Sequence, residues 1–561
     1  MNIDSFCARD KDSHYISVYP TVPFFLDIQY DGKAITGWTL YSINDCFEKT
    51  SGEDDLELLY TLSQIIDKYE LKTYSDNKQD YIIVYTDNIL KLKALLGDNF
   101  KTARTNANHI LDGRVMTYFD VREYGHANEF SSKDSILEWY PHFVAEKRAY
   151  LSPSQAQRKR LKKAVGKDET AKKIYPSTIA DYNYERAAIH GGITYAQDNS
   201  GRIYERPMLA LDLTSAYIYA LVVDNHCMSA RKQVPTKDWE NYVNNTCYGS
   251  IGTYDIEYSF MFQYIRCFKD VEGKHLQNGH RKVRVVFDNV DLTTFINLPH
   301  IVIHNIECKK LREFKLDTVP QYYKDFSIAN YIKKEELPRG SIARDNQKEC
   351  LNSGTYGECL VDIFKYIKKE PDETNADYYT RLEHHLYRTI KSKAAKVATI
   401  PLWGVYALSY TKKHVFELAT QLVGWRYSDT DSIYCDDTPE NRVKIREYNA
   451  KVRELNKVFC DKYGYSDDYE KLKDLGTFKL EAKIIKFRSF GTKSYAYRTV
   501  DDVDVLHFAG CTYDKAPADL WKDDFKPGAS RIETGIDKNG NYYERTVGNV
   551  SLMIDAFCSH V

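Results

Sequence analysis

The sequence predicts a mixed α/β and α+β protein with several domains. Its 561 residues can build more than one hydrophobic core, and 43% hydrophobic with 28% charged residues is typical of a globular protein. Pro23–Ile28 and Tyr81–Tyr85 are short apolar runs typical of buried strands, and Leu56–Tyr69 between them has apolar residues at helical spacing. Lys282–Phe287 and His300–His304 add further strand-like runs.

Overall charge and composition neither indicate nor exclude a nucleic-acid-binding protein. The formal net charge of −2 gives no overall attraction to nucleic acid, so any such surface must come from local basic patches. The strongest basic run, residues 155–167, fits a solvated helix face and a set of phosphate contacts equally well. The 46 tyrosines suit base stacking or ordinary packing.

Nothing in the sequence indicates secretion, a membrane span or a cysteine framework. Met1–Ser5 has neither a basic nor an apolar signal region, and no run reaches the about 18 apolar residues of a membrane helix. The twelve cysteines include no C-x-x-C pair, which argues against a zinc ribbon and a disulfide scaffold. Reduced thiols in a cytoplasm are therefore expected, the host cytoplasm if the protein is viral.

Two aspartates separated by a single residue form the strongest local signal. The pattern from Trp425 to Tyr434 predicts a β-hairpin with strands Trp425–Ser428 and Ser432–Cys435 and with Asp429-Thr430-Asp431 at its tip. Two such carboxylates repel each other unless a hard cation lies between them. For this pair alone, a solvated Asp-rich turn would be the preferred interpretation.

Three other motifs accompany this pair in a fixed order. The set resembles family B DNA polymerases, with D-x-x-S-x-Y at Asp212–Tyr217, K-x-x-x-N-S…Y-G at Lys348–Gly357, Y-x-D-T-D-S at Tyr427–Ser432 and K-x-Y at Lys493–Tyr495. The resemblance is clearest from residue 186 to 561. It implies a template-directed DNA polymerase with a right-hand fold of palm, fingers and thumb, preceded by a ribonuclease H-like exonuclease-type domain.

The resemblance assigns roles to the acidic residues. Asp212, Asp429 and Asp431 would be catalytic, and Asp212, the Leu213 carbonyl and Asp431 would hold two Mg²⁺ ions, with Mn²⁺ as the alternative ion. Asp212 also follows an apolar run, which places its carboxylate at the end of a strand.

The nucleotide-binding residues form a second group. Tyr217 matches the family position whose ring lies under the incoming sugar and excludes a ribose, and a core tyrosine is the alternative. Arg344, Lys348, Asn352 and Tyr356 recur every four residues, which predicts one stripe on a helix facing the nucleotide. Gly354 lengthens the family's asparagine-to-tyrosine spacing by one residue, which leaves the placement of Tyr356 open.

A third group would contact the primer and the DNA. It includes Thr430 in the acidic turn, and Lys493 and Tyr495, which are expected on one face of a strand. Gly191 and Gly192 resemble the family's Y-x-G-G/A linker, with Ile189 in place of the tyrosine. A plain turn is the alternative for the two glycines.

Two insertions and a short C-terminal region resemble the protein-primed branch of the family, found in phages and linear plasmids. This branch implies a terminal protein as partner, besides template and primer DNA and dNTPs. The alternatives are a related polymerase that uses a nucleic-acid primer or none, and a non-catalytic replication scaffold.

The predicted layout is an exonuclease-like domain (1–185), palm (186–249 and 399–498), first insertion (250–330), fingers (331–361), second insertion (362–398) and small thumb (499–561).

The first domain lacks most of the family's exonuclease acids. Asp27-Ile28-Gln29 has an amide in place of the glutamate of D-x-E, Asn88–Leu92 lacks the aspartate of N-x-x-F/Y-D, and no third motif follows before His190. One remaining carboxylate would bind two cations poorly, so the resemblance implies an exonuclease fold without proofreading. The alternative is a divergent domain in which the motifs lie elsewhere.

Overall fold

The computed structural model describes residues 6–9, 15–18, 24–30, 35–42, 50–53, 55–68, 74–76, 79–86, 101–102, 106–111, 114–120, 153–261, 266–365, 367, 369–391, 396–508, 520–523, 525, 531–536 and 542–547. The chain divides into two compact units. One comprises residues 1–157, 333–350 and 528–561, and the other comprises residues 158–332 and 351–527.

Strands and helices alternate along the chain, as the sequence predicts. The strands are β1 Phe6–Arg9, β2 Tyr15–Val18, β3 Phe24–Tyr30, β4 Ile35–Ser42, β5 Thr50–Gly52, β6 Tyr74–Asp76, β7 Gln79–Thr86, β8 Lys101–Thr102, β9 Asn106–Leu111, β10 Arg114–Asp120, β11 Ile193–Ala196, β12 Ile203–Leu213, β13 His226–Cys227, β14 Lys232–Gln233, β15 Tyr248–Phe260, β16 Gly279–Asp288, β17 Ile301–Asp317, β18 Tyr427–Thr430, β19 Ser432–Asp436, β20 Phe478–Gly491, β21 Ser494–Thr499, β22 Asp504–Phe508, β23 Arg531–Ile536 and β24 Tyr542–Val547. The helices are α1 Asp55–Lys68, α2 Pro153–Ala164, α3 Thr170–Ile174, α4 Ile179–Arg186, α5 Ala216–Val223, α6 Asn289–Ile296, α7 Gln321–Glu336, α8 Ile342–Gly354, α9 Tyr356–Leu360, α10 Asn375–Lys391, α11 Pro401–Ala419, α12 Pro439–Tyr463 and α13 Tyr469–Leu472.

The N-terminal unit contains a mixed sheet with the order β5-β4-β3-β7-β10-β9-β8. β5, β4 and β3 are antiparallel neighbours, whereas β3 with β7 and β7 with β10 are parallel pairs. Leu26 and Trp38 are buried in the sheet, and Leu58 and Leu62 are buried on α1. The predicted strands at 23–28 and 81–85 and the predicted helix at 56–69 are therefore confirmed as β3, β7 and α1.

The second unit is built around an antiparallel sheet with the order β11-β18-β19-β12-β20-β21-β22. Its central strand β12 is buried on both faces. Leu209 and Leu211 belong to one hydrophobic cluster, while Met208 and Ala210 belong to another. This burial explains why the strand is apolar from Met208 to Leu211, immediately before Asp212.

A second antiparallel sheet in this unit has the order β13-β17-β15-β16. The predicted strands at 282–287 and 300–304 are confirmed within β16 and β17. The long helix α11 is buried along most of its length, and the Trp403 indole N–H donates to the Cys227 carbonyl at 2.8 Å. No disulfide bond joins any of Cys227, Cys247, Cys267, Cys308, Cys350, Cys359, Cys435 and Cys460. None of the described helices has the length and apolarity needed to cross a membrane.

Candidate active site

The first predicted catalytic carboxylate lies at the end of the central strand. β12 is buried from Met208 to Leu211, whereas Asp212 is half-buried. Asp212 lies opposite Ser432 of β19, and the Leu213 N–H donates to the Asp431 carbonyl at 2.9 Å. Strand pairing therefore joins the backbones of two motifs that are far apart in the sequence.

The predicted hairpin around the two other aspartates is confirmed, with shifted ends. Its strands begin at Tyr427 and end at Asp436, so Asp431 is the single residue between β18 and β19. Trp425 precedes the strand, where its buried indole N–H donates to the Ser428 hydroxyl at 2.9 Å. The turn is tighter than the sequence predicts, because Thr430 still belongs to β18.

Thr430 has a strained backbone within this turn. Its φ of +60° is a left-handed conformation that β-branched residues rarely adopt. Its hydroxyl donates to Asp429 Oδ1 at 3.1 Å, and the Asp431 N–H donates to the Asp429 carbonyl at 2.7 Å. Such a conformation costs about 1–3 kcal/mol and persists where surrounding contacts fix it, commonly at functional sites.

The predicted glycine pair lies at this turn. A Cβ at Gly192 would lie 3.0 Å from Thr430 Cγ2 and 3.3 Å from Thr430 Cα, so the absence of a side chain permits the close approach. A Cβ at Gly191 would meet nothing within 4 Å. Gly192 thus packs against the acidic turn, and a DNA contact of either glycine stays a prediction.

Lys493 also lies beside the turn, although the structure corrects its expected setting. It belongs to the connection between β20 and β21, with φ +59°, and not to a strand. Its Nζ lies 3.6 Å from Asp429 Oδ1, and its backbone N–H donates to the Tyr427 hydroxyl at 2.6 Å. Because a turn interrupts the alternation of side chains, the prediction that Lys493 and Tyr495 share one strand face is wrong.

Tyr495 is a core residue in this structure. Its side chain is buried among aromatic rings, and the Tyr434 hydroxyl donates to the Tyr495 hydroxyl at 3.1 Å. The ring centroids of Tyr427 and Tyr495 are 4.5 Å apart. The expected contact of Tyr495 with the primer stays a prediction, since burial leaves its ring little access to a strand of DNA.

Tyr217 and Tyr356 form a stacked pair. Their ring centroids are 4.2 Å apart with an interplanar angle of 21°. Burial, then the Tyr356 phenol and the carboxylates of Asp431 and Asp429, raise the pKa of Tyr217. Burial and Asp431 raise the pKa of Tyr356 to about 12. Both phenols are therefore protonated at neutral pH, and the extra residue at Gly354 does not separate Tyr356 from the site.

The predicted four-residue stripe is broken before Tyr356. α8 carries Arg344, Lys348 and Asn352 but ends at Gly354, and Tyr356 begins the separate helix α9. Thr355, between them, has φ −110° and ψ −101° and is buried, and its carbonyl accepts from the Tyr323 hydroxyl at 2.7 Å. The prediction that all four residues lie on one helix is therefore wrong.

Arg344 has partners that the sequence does not predict. Its guanidinium donates to the carbonyls of Lys334 at 2.5 Å and Leu337 at 2.9 Å, and to both Glu335 carboxylate oxygens at 3.1 Å. These contacts satisfy carbonyls at the end of α7. Lys348 is exposed on α8. Its expected contact with nucleotide phosphates, like that of Arg344, stays a prediction.

Sequence reasoning missed two contacts of this region. Tyr427 holds the Lys493 turn through its hydroxyl, and its place two residues before Asp429 in the motif is the signal that could have indicated it. Arg158, in the basic run, forms an ion pair with Glu358 of α9, and burial raises the pKa of that carboxyl. Lys162 and Lys163 of the same run are exposed, so both interpretations of the run stay open.

The acidic residues fit a hard cation by their chemistry. Asp212 and Asp431 lie on adjoining backbones, and carboxylate oxygens are the donors that Mg²⁺ prefers. In the described part of the chain, no group of three or more histidine, cysteine, aspartate or glutamate side chains has the arrangement of a metal site. Asp429 Oδ1 accepts a hydrogen bond from the Thr430 hydroxyl and lies near the Lys493 ammonium group.

Comparison with solved structures identifies the fold. Phi29 DNA polymerase complexed with primer-template DNA and incoming nucleotide substrates matches with a TM-score of 0.64 and 14% identity, covering 94% of this chain and 99% of that chain. The same polymerase complexed with primer-template DNA gives a TM-score of 0.65 and 14% identity over 94% and 100% of the two chains. Its complex with single-stranded DNA gives 0.64 and 14% over 94% and 99%. No family model and no curated protein sequence matches the chain. The resemblance to protein-primed family B DNA polymerases is thereby confirmed at the level of the fold.

Proposed function

We propose that the chain is a template-directed DNA polymerase. The observation that carries the proposal is the junction of β12 with the β18–β19 turn, where the backbones at Asp212 and Asp431 adjoin near the Tyr217–Tyr356 stack. These are the positions of three motifs that resemble the family, and the fold of the chain is that of Phi29 DNA polymerase. The proposed activity joins a primer 3′-hydroxyl to the α-phosphate of a dNTP and releases pyrophosphate.

Each side chain at the junction has a proposed task. Asp212 and Asp431, with the Leu213 carbonyl, would hold Mg²⁺. When bound, the ions would supply a more acidic hydroxyl and charge neutralisation on the phosphates. The Tyr217 ring, which stacks on the Tyr356 ring, would lie under the deoxyribose of the incoming nucleotide. Lys493 lies close enough to the acidic turn to donate to a primer phosphate. The phosphate contact predicted for Lys348 of α8 is part of the same proposal.

The experiment that tests this proposal is primer extension on four templates that differ in the first unpaired base. The proposal expects the dNTP complementary to that base to be added in each case, and expects addition to require a divalent cation. Addition of the same nucleotide on all four templates would exclude templated synthesis. No addition on any template or primer would favour the scaffold alternative.

We further propose that the polymerase starts synthesis on a protein primer. The segments that the sequence identifies as insertions are substantial structures, namely the β15–β17 sheet and the amphipathic helix α10. Leu382, Leu386 and Ile390 pack α10 against Ile179. Exposed cations before this helix and on it, among them Lys369 and Arg388, are candidate contacts for an acidic terminal protein. Lys368 and residues 392–395 lie outside the described residues. The domain boundaries given above belong to this proposal.

We expect a covalent adduct when the enzyme is incubated with a candidate terminal protein, labelled dNTP and Mg²⁺. A hydroxyl of the priming protein would attack the α-phosphate, forming a protein–nucleotide phosphodiester and releasing pyrophosphate. Asp429→Asn should abolish the adduct, whereas Asp502→Asn, which changes an exposed turn carboxylate, should not. Efficient extension of oligonucleotides, with no adduct on any template, would favour the alternative of a nucleic-acid primer.

The N-terminal domain is proposed to keep an exonuclease fold without its activity. Support comes from its sheet, in which three antiparallel strands continue into the parallel pairs β3–β7 and β7–β10. Asp27 is half-buried in β3. Leu92, at the expected position of a second acid, lies outside the described residues, and the side chain of Gln29 is likewise not described.

We expect the purified protein to show no 3′–5′ degradation of end-labelled single-stranded DNA. The reason is that one remaining carboxylate would bind two divalent ions poorly. Asp27→Ala should accordingly leave the background of degradation unchanged. If degradation appears, and Asp27→Ala removes it while Asp431→Asn preserves it, the first domain is an active nuclease. Degradation that persists in Asp27→Ala would instead come from a contaminating nuclease.

A further inference from the structure

His190, immediately before the two glycines, is buried and hydrogen-bonded through both ring nitrogens. The Lys269 N–H lies 3.1 Å from Nδ1, and Nε2 lies 2.9 Å from the Val286 carbonyl. Because Nδ1 accepts a hydrogen bond, it carries no proton, so Nε2 carries the proton and donates. The His190 ring is therefore the neutral tautomer protonated on Nε2. Its two hydrogen bonds attach residues 190–192 to Lys269 and to β16.

The surroundings of His190 keep the ring neutral and fixed. Its ring packs edge-on against Phe268 and Phe287, at centroid distances of 5.9 Å and 4.9 Å. Burial lowers the pKa of His190 to about 4, with Asp291 opposing this shift and Lys412 and Lys269 adding to it. Lys412 and Asp291 form a fully buried ion pair at 3.1 Å on α11 and α6.

A continuous set of backbone contacts leads from this segment to the acidic turn. Thr194 exchanges backbone hydrogen bonds with Arg266, at 3.2 Å and 2.8 Å, so Arg266 pairs with the edge of β11. On its other side Thr194 lies opposite Asp429 of β18. Gly192 lies against Thr430, as shown above. The strained turn therefore rests on a short strand whose preceding residues are held by His190.

We propose that His190 is a positioning residue for the catalytic turn, because its two hydrogen bonds hold Gly192 against Thr430. In this role His190 contacts neither substrate nor metal. It fixes the path of residues 190–194, which in turn fixes the strained backbone of Thr430 and the direction of the neighbouring carboxylates. The effect on catalysis rests on the proposed polymerase function, whereas the effect on the turn does not.

The central test is His190→Phe, which keeps an aromatic ring of similar size and removes both hydrogen bonds. The variant should lower kcat for single-nucleotide incorporation by about tenfold to a hundredfold, the loss produced by misplacing reacting groups by about 1 Å. The KM for dNTP and the affinity for primer–template should change by less than about threefold, because phosphate contacts are untouched. His190→Gln should restore part of kcat, since its amide can still donate to the Val286 carbonyl.

Phe295→Leu is the matched control for a loosened core. Phe295 lies 5.5 Å from both Phe268 and Phe287 by ring centroid, so it packs against the rings that flank His190. It makes no side-chain hydrogen bond to the linker, because it has no polar atom. This variant should lower the melting temperature as His190→Phe does, yet leave kcat of the folded fraction unchanged. Equal losses of kcat in both variants would overturn the proposal.

Gly192→Ala supplies a double-mutant test. Its Cβ would press on Thr430 at 3.0 Å, which displaces the turn directly. If His190 acts through the Gly192–Thr430 contact, the double variant His190→Phe with Gly192→Ala should lose little more kcat than the worse single variant. Losses that multiply would show that the two residues act independently.

Hydrogen–deuterium exchange gives a readout that needs no activity. Amides of residues 427–432 should exchange at least about tenfold faster in His190→Phe than in the parent and in Phe295→Leu, since opening of the turn is local. Unchanged exchange would overturn the positioning role even if the enzyme is active. Faster exchange in a protein that never incorporates nucleotides would support the role and contradict the proposed polymerase function.

Discussion

Asp431→Asn is expected to reduce nucleotide incorporation by at least ~10²-fold, the usual cost of losing a group that stabilises transition-state charge. The amide keeps the size of the side chain but removes the negative charge that a hard cation requires. The backbone hydrogen bonds of Asp431 with Leu213 and Asp429 do not involve the carboxylate, so the substitution preserves them. Affinity for a primer–template duplex should therefore remain within about threefold of the parent, because duplex binding depends on phosphate contacts.

The matched control is Asp502→Asn. Asp502 is an exposed turn residue with φ +60°, a conformation that asparagine also adopts, and its carboxylate lies 3.3 Å from Arg498. An exposed ion pair of this kind contributes at most about 1 kcal/mol, so this variant should keep parental activity. An Asp431→Asn enzyme that retained more than about a tenth of the parental rate would contradict the assignment of Asp431.

Tyr217→Val is expected to increase ribonucleotide incorporation relative to deoxyribonucleotide incorporation by at least about tenfold. Discrimination between substrates that differ in one small group is commonly worth about 1–3 kcal/mol when it depends on the shape of a pocket. The half-buried ring of Tyr217 stacks on Tyr356 at 4.2 Å, a contact that restricts the positions open to the ring. Competition between an NTP and its dNTP measures the ratio.

Tyr217→Phe separates the ring from its hydroxyl. This variant keeps the ring that stacks on Tyr356 and removes only the hydroxyl, so it should retain the parental preference for dNTPs. If Tyr217→Val leaves the ratio unchanged, Tyr217 is a core residue that supports Tyr356 and does not select the sugar.

The central part of the site could be predicted because its signals are local. The apolar run from Met208 to Leu211 is buried on both faces of the sheet, and the half-buried Asp212 follows it one residue before the end of β12. The alternation around Asp429-Thr430-Asp431 likewise predicted a hairpin, whose strands the structure shifts by one or two residues. The pairing of β12 with β19 could be expected only from the ordered motifs and their resemblance to a family.

Other features depend on contacts that no local pattern records. Arg344 binds the end of α7 because Lys334 and Leu337 expose carbonyls there, which is a property of the fold. Lys493 leaves the strand because its backbone is left-handed and its N–H bonds to Tyr427. His190 received no role from the sequence, since a single histidine beside two glycines gives no sign that both its ring nitrogens are engaged.

The most direct measurement of the central claim is the single-turnover incorporation rate of Asp212→Asn, Asp431→Asn and the double variant on one primer–template. If the carboxylates on β12 and beside β19 form one site, each single variant should lose at least ~10²-fold and the double variant little more, because groups that act as a unit are not additive. An active parent in which either single variant remains active, or in which the two losses multiply, would contradict the claim that Asp212 and Asp431 work together.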